Sequence, residues 1–269
     1  MNITIDNADR EKPEHGTFLD AIGAHDKIAR YYKARPPYFP DFFAQAVKVL
    51  DIASSSALLD LGCGTGVLSD GLSPYARQVY GVDGSREMLA QATRRANVEL
   101  IECDVNQQPL ALPEKVDHIF IGDAVWYLKS TSLKALADAW LRPGGSIVIT
   151  HTMFKHAAEP FQPVLESINQ SYSKNFLSLD YTGASVLQAC GFRLFGKLRG
   201  RRRVSFGIDY LINNQLSYAY RDFYDATHAN LDQYRAEVKA ALTPLAQNGR
   251  LGTTLVNWGL IYRAADVAR

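Results

Sequence analysis

The chain has 269 residues, of which 47% are apolar, with 29 basic against 28 acidic side chains and a formal net charge of +1. That composition supports an ordinary globular core, and the balanced charge gives no general pull toward long nucleic acids or anionic membranes. The opening segment MNITIDNADREKPEHG has no apolar secretory core, and no run approaches the roughly 18 apolar residues of a membrane span.

Residues 1–18 read as a loose tail. Residues 18–35 follow with a helical pattern in which Leu19, Ile22, Ile28 and Tyr31/Tyr32 fall near one stripe. RPPYFP breaks it, and DFFAQAVKVLDI (41–52) is a second helix with Asp41 as its N-cap. From Ala57 the rhythm becomes strand and helix in alternation. ALLDL and QVYGVD (78–83) are strands, SREMLAQATRRA (85–96) is a helix capped by Ser85, and VELIECD (98–104) and VDHIFIGD (116–123) are strands again. TSLKALADAWL (131–141) has helical spacing, RPGG (142–145) turns the chain, and SIVITHT (146–152) is the fifth strand. Residues 157–190 mix helix and loop. FRLFGKLRGRRRVSFGI (192–208) reads as strand with a turn at Gly200, residues 230–245 as helix, and 250–264 as the last strand. Alternating strands and helices imply a doubly wound, mostly parallel sheet with helices on both faces. Ligands then sit at the carboxyl ends of the strands beside the first strand.

The first strand runs into three glycines at alternate positions, in LLDLGCGTGVLSDGL (58–72). A dinucleotide turn has G-x-G-x-x-G, which requires glycine at position 67; Val67 stands there instead. The spacing therefore disfavours a pyrophosphate ligand and an NAD-dependent oxidoreductase.

LLDLGCGTG resembles motif I of class I S-adenosylmethionine (SAM)-dependent methyltransferases. VYGVDGS (79–85), ECDV (102–105), VDHIFIGDAVWYL (116–128) and LRPGGSIVIT (141–150) resemble the family's later motifs, in order, over about residues 55–152. The resemblance implies a Rossmann-like, seven-stranded α/β sheet with an antiparallel last strand. It implies SAM as cofactor, S-adenosyl-L-homocysteine (SAH) as product, and the glycine loop with Asp60, Gly62, Cys63, Gly64 and Gly66 around the cofactor. Asp83 and Gly84 would hold the ribose, Asp104 and Val105 the adenine, and Asp123 with Ala124 the methionine part or the reacting site. Independently of the family, Asp83 follows Gly62 by 21 residues, close to the roughly 20-residue spacing at which a carboxylate reaches a ribose.

Methyl transfer from a sulfonium needs alignment of the acceptor, and a base where the acceptor starts protonated. His151, at the carboxyl end of the fifth strand, is the candidate base; the alternative is a histidine that only caps the strand end. His118 reads as packing, and His25, His156 and His228 show no metal spacing, so no metal is expected. Tyr31 and Tyr32 on an N-terminal lid, and Trp126 and Tyr127 after the fourth strand, are candidate substrate residues through their aromatic faces. YYKARPPYFP and the C-terminal layout are loosely similar to a subgroup that includes trans-aconitate methyltransferases. On a strand, Arg199, Arg201 and Arg203 share one face; Arg201 and Arg203 are candidate anion contacts, against a solvated basic edge.

The sequence thus divides into a tail (1–18), a helical lid (19–54), a SAM-binding core (55–152) and a C-terminal part of the sheet with substrate-cover insertions (153–269). The expected function is methyl transfer to an oxygen or nitrogen of a small-molecule metabolite, without nucleic acid, membrane or metal. The alternatives are non-methyl SAM chemistry and a non-catalytic SAM-binding module. Cys63, Cys103 and Cys190, odd in number and without CxxC spacing, suit a cytoplasmic location.

Overall fold

The structure, a computed structural model, describes residues 29–172, 183–218 and 228–265. The expected tail and most of the expected lid helix, with His25, lie outside the described residues. The lid region is described from its end: a single 3-10 turn, Tyr32–Ala34, gives way to extended backbone at Arg35, with φ −62° and ψ 148°. The cause is local, because a residue before proline is pushed out of the helical region, and Pro36 follows. Helix α1 (Pro40–Leu50) then starts with proline in its first turn and Phe39 at the N-cap position. Asp41 is therefore a first-turn acid beside the helix dipole, and the expected Asp41 cap is corrected.

Strands β1 (Ala57–Leu61), β2 (Gln78–Asp83), β3 (Val98–Glu102) and β4 (Val116–Gly122) alternate with helices α2 (Val67–Leu72) and α3 (Arg86–Leu89). Helix α3 has Ser85 as its cap, accepting from the Met88 N–H at 3.3 Å, but spans one turn rather than the expected 85–96. Helix α4 (Ser130–Trp140) leads into the long strand β5 (Leu141–Lys155). The expected turn at RPGG is an irregularity inside β5: its register against β4 shifts between Val116 and His118, and Gly144 has φ +80°. Helices α5 (Gln162–Tyr172) and α6 (Ala184–Ala189) precede β6 (Phe192–Gly207). Helices α7 (Ile208–Leu216) and α8 (His228–Leu242) precede β7 (Arg250–Ala264). The expected turn at Gly200 is absent; β6 is one strand in which Gly200 pairs with Asn257 and lies against the Phe39 ring, where a Cβ would come to 3.4 Å.

The seven strands form one sheet in the order β3-β2-β1-β4-β5-β7-β6. β1 to β5 pair in parallel, and β7 is antiparallel to both β5 and β6. This is the Rossmann-like arrangement expected, with its antiparallel last strand. One face is covered by α1 and α2 through Phe42, Phe43, Leu68 and Leu72, the other by α4 and α6 through Leu133, Leu136 and Leu187. β1 is buried along its whole length, as a central strand covered on both faces must be. A third cluster, including Leu165, Leu211, Tyr234 and Phe206, joins α5, α7 and α8 to the ends of β6 and β7.

The RPPYFP strap is tied across the sheet by distant side chains. Asn257 accepts from the Phe39 N–H at 2.8 Å and donates to the Pro37 carbonyl at 3.0 Å, while Asn214 and Tyr210 donate to the carbonyls of Ala34 and Arg35. Extended backbone has no internal hydrogen bonds, so these partners satisfy it. They also hold Tyr32 and Arg35 over the carboxyl ends of the parallel strands.

Candidate active site

A cleft of about 780 Å³, its open mouth included, lies at those strand ends, where β1 meets β2 and β4. Its floor is the glycine turn after β1. Gly62, Gly64 and Gly66 all have positive φ, at 73°, 55° and 76°. At Gly62 a Cβ would come within 2.6 Å of the Ala124 Cβ, so this glycine lets the β1 and β4 loops touch. At Gly64, on the cleft wall, it would meet Met88 Cε at 3.1 Å and the Tyr32 ring at 3.7 Å.

Asp83 ends β2 and lines the cleft. Its carboxylate accepts from the Gly64 N–H and the Ser85 N–H, both at 2.8 Å, which locks the glycine turn to the cap of α3. Asp104, after β3, also lines the cleft and accepts from the Asn106 N–H and the Gln107 side-chain amide at 2.9 and 2.7 Å. It therefore shapes its own turn while facing the cleft. Gly84, Val105, Asp123, Ala124, Tyr32 and Tyr127 complete the expected residues that line it. Burial raises the pKa of the Tyr32 and Tyr127 hydroxyls, so both rings meet the cleft as neutral phenols.

Asp123 has φ +51°, a left-handed conformation rare outside glycine. That conformation brings its carboxylate against Nδ1 of His151, a buried residue near the end of β5. Contact with a carboxylate requires the proton on Nδ1 and leaves Nε2 as the basic nitrogen. Burial, and then the Arg35 guanidinium, hold the His151 pKa at about 3, so the ring is neutral at physiological pH. His151 itself does not line the cleft; it reaches it through Asp123.

Several expected contacts are placed elsewhere. Asp60 lies beneath the glycine turn and accepts from the Ser69 N–H and hydroxyl at 2.8 and 2.6 Å, holding the first turn of α2. Its other oxygen, Oδ1, is buried and takes no hydrogen bond among the described residues. Cys63 and Gly66 are turned away from the cleft, Cys63 into the protein interior and Gly66 into the start of α2. Tyr31 packs on the α5–α7–α8 cluster, with the Arg30 and Arg235 guanidinium groups 4.8 and 5.6 Å from its ring. Trp126 packs on the β4–α4 core. Arg201 and Arg203 are exposed on β6, and Arg203 pairs with Glu159. None of these residues lines the cleft.

Arg35 was not foreseen. It is the one cation among the cleft's described lining residues, with its guanidinium 4.0 Å from the Tyr218 ring and 5.1 Å from the Tyr32 ring. Its signal was present in YYKARPPYFP, but nothing local in that segment shows where the strap crosses. Asn106 was missed too: it donates to the Tyr127 carbonyl and accepts from the Lys129 N–H, joining the loops after β3 and β4.

The comparisons fit this geometry. A methyltransferase domain family matches residues 58–145, which carry the glycine turn, Asp83, Asp104 and Asp123. Residues 58–145 carry a class I SAM-dependent methyltransferase domain. It is 39% identical over 164 residues to the uncharacterized methyltransferase C70.08c of Schizosaccharomyces pombe, covering 60% of this chain and 62% of that protein. It is 26% identical over 162 residues to CRG1 of Saccharomyces cerevisiae, named as a SAM-dependent methyltransferase, covering 58% and 54%. An uncharacterized RNA methyltransferase of Protochlamydia amoebophila is 26% identical over 142 residues, covering 48% and 32%. The chain thus spans less than two thirds of these relatives' lengths. Among solved structures, one named as a type II methyltransferase from Anaeromyxobacter dehalogenans shares the fold, with a TM-score of 0.56, 17% identity and coverage of 85% and 96%.

The residues of the methyltransferase domain fit SAM. The cleft offers carboxylates at two adjacent strand ends, a glycine wall that a side chain would fill, and the cation of Arg35. Among the described residues no helix is long and apolar enough to cross a membrane, and no cluster of His, Cys, Asp or Glu could hold a metal ion.

Two outcomes are expected of the carboxylates. Asp83→Ala removes the acceptor of two backbone N–H groups as well as the carboxylate expected to meet the ribose. Each bond to a charged group is worth about 1.5–3 kcal/mol, so SAH affinity, read by calorimetry, should fall about tenfold or more. Unchanged affinity would show Asp83 to be a turn residue alone. At Asp60 burial raises the pKa to about 7, against the Ser69 bonds that favour the carboxylate. A carboxyl whose folded pKa is raised contributes full stability below its unfolded value near 4 and loses it as pH climbs to about 7. Asp60→Asn should flatten the melting-temperature profile across that window relative to wild type; parallel profiles would mean Asp60 stays ionised.

Proposed function

We propose that the protein transfers a methyl group from SAM to an oxygen or nitrogen of a small molecule. The observation that carries this reading is the cleft itself. It has a glycine wall, Asp83 and Asp104 on neighbouring strand ends, and the Asp123–His151 pair at one side.

SAM, when bound, supplies an electrophilic methyl on a sulfonium. Asp83 holds the ribose hydroxyls, Asp104 and Val105 border the adenine, and Arg35 takes the methionine carboxylate. Tyr32, on the strap, closes over the glycine wall and excludes water. His151 is the proposed base: burial keeps its ring neutral, and when Nε2 takes the acceptor's proton the Asp123 carboxylate at Nδ1 offsets part of the cost of the buried imidazolium. On this reading the strap and most of residues 55–152 serve the cofactor, and residues 153–269, together with His151, serve the acceptor. The three cysteines are buried as free thiols, which agrees with the cytoplasmic location proposed.

Calorimetry should give SAH a dissociation constant on the order of micromolar, about −8 kcal/mol. Labelled SAM incubated with the protein and metabolite extract should then label a small molecule. Absence of binding to folded protein would sink the cofactor assignment. Binding with SAM breakdown but no methylated product would favour non-methyl chemistry. Label appearing only when total RNA is added would favour the activity named for the Protochlamydia relative.

A further inference from the structure

The antiparallel pairing at the edge of the sheet aligns three residues in one cross-strand row. His151 of β5 pairs with Trp258 of β7, and Trp258 pairs with Arg199 of β6. Residues directly opposite in a ladder point to the same face, so all three side chains rise from one side of the sheet. The His151 and Trp258 rings are 5.4 Å apart. The next row on that face is Met153, Val256 and Arg201.

Burial changes steadily along the first row. His151 is buried, Trp258 half-buried and Arg199 exposed, so the row slopes from beside the cleft out to solvent. Its two ends lie two strand spacings apart, about 10 Å between backbones. The indole between them is a flat apolar platform. Arg203, farther along, is engaged by Glu159. Among the described residues Arg199 and Arg201 take no ion pair, and the Arg199 N–H is held by Gln45 at 2.9 Å. The cations level with the base are thus Arg199 and, diagonally, Arg201.

Resting on the methyltransferase reading above, we infer that this row is the acceptor site and that the acceptor is an anion with a flat apolar body. The methylated atom lies at His151, the body on Trp258, and a carboxylate or phosphate at Arg199. Charge complementarity commits the face to such an occupant: a guanidinium grips a planar oxyanion bidentately, and an indole face takes an aromatic or unsaturated body. Arg199, rather than Arg203, becomes the residue that sets specificity.

The test uses 6-hydroxy-2-naphthoate, a rigid probe with hydroxyl and carboxylate at opposite ends, and its neutral carboxamide. Both are titrated into the full chain, saturated with SAH and without it. The acid should bind at least about tenfold tighter than the amide, the scale of one charge-assisted hydrogen bond. Arg199→Gln should abolish that preference without changing SAH affinity, whereas Arg203→Gln should keep it. Equal binding of acid and amide, no binding of the acid, or a preference that survives Arg199→Gln would each overturn the assignment and leave the row a solvated edge. Failure of SAH to bind is read in its own titration and counts against the cofactor reading instead.

Discussion

Gly64→Val is expected to remove measurable SAH binding while leaving a folded chain. Two costs fall on the same position. Gly64 has φ +55°, where a β-branched residue carries about 1–3 kcal/mol of strain. Its new side chain would also enter the wall of the cleft toward Met88 and the Tyr32 ring, whose nearest atoms are 3.1 and 3.7 Å from a Cβ alone. The strap that carries Tyr32 is tied by Asn214, Tyr210 and Asn257, so the ring cannot simply retreat. Gly64→Ala should fall between wild type and valine, because it adds the strain and less of the bulk. Gly62→Ala should behave differently: its Cβ would meet Ala124 at 2.6 Å, so it should lower the melting temperature before it affects the ligand. A folded Gly64→Val protein with wild-type SAH affinity would show that this wall does not face the cofactor.

The second large effect is expected at His151. His151→Gln keeps an amide at the Asp123 carboxylate but removes the basic nitrogen. If His151 is the base, kcat should fall by about 10²–10⁴-fold, the usual worth of a positioned base, with SAH affinity unchanged. The pH profile separates this role from packing. With a pKa of about 3, the ring stays neutral through the physiological range. Acidifying from about pH 8 to about pH 5 should therefore cost no activity through this group, unlike an ordinary histidine near 6.5. A profile that falls near 6.5 would mean the ring is more solvated than its burial beside Trp258 and Arg35 implies. Unchanged kcat in His151→Gln would leave the histidine as the partner that fixes Asp123.

The cofactor half of the molecule was legible because its information is local. A five-residue apolar strand, three glycines at alternate positions and an acid 21 residues beyond the first of them are all set within one strand–turn–helix–strand unit. The structure realises them as left-handed turn residues and a carboxylate bonded to the turn. Asp60 shows the limit even there. Its strand position was clear, but whether it faced the cleft or Ser69 depends on how α2 packs.

The rest of the site depended on contacts distant in sequence. Arg35 reaches the cleft because Asn214 and Asn257, some two hundred residues away, hold the strap's backbone. The alternation of Arg199, Arg201 and Arg203 was visible in the sequence. Which of them stands level with His151 was not, because that is set by the register of β7 between β5 and β6. Register is fixed by the burial of alternate side chains across three strands. By itself the sequence determined the sheet, the glycine turn and the acids at the strand ends, since backbone conformation and apolar periodicity are properties of neighbouring residues. Only the tertiary structure decided which cation enters the cleft and which arginine stands level with His151, since those follow from strand register and from a strap whose partners lie at the far end of the chain.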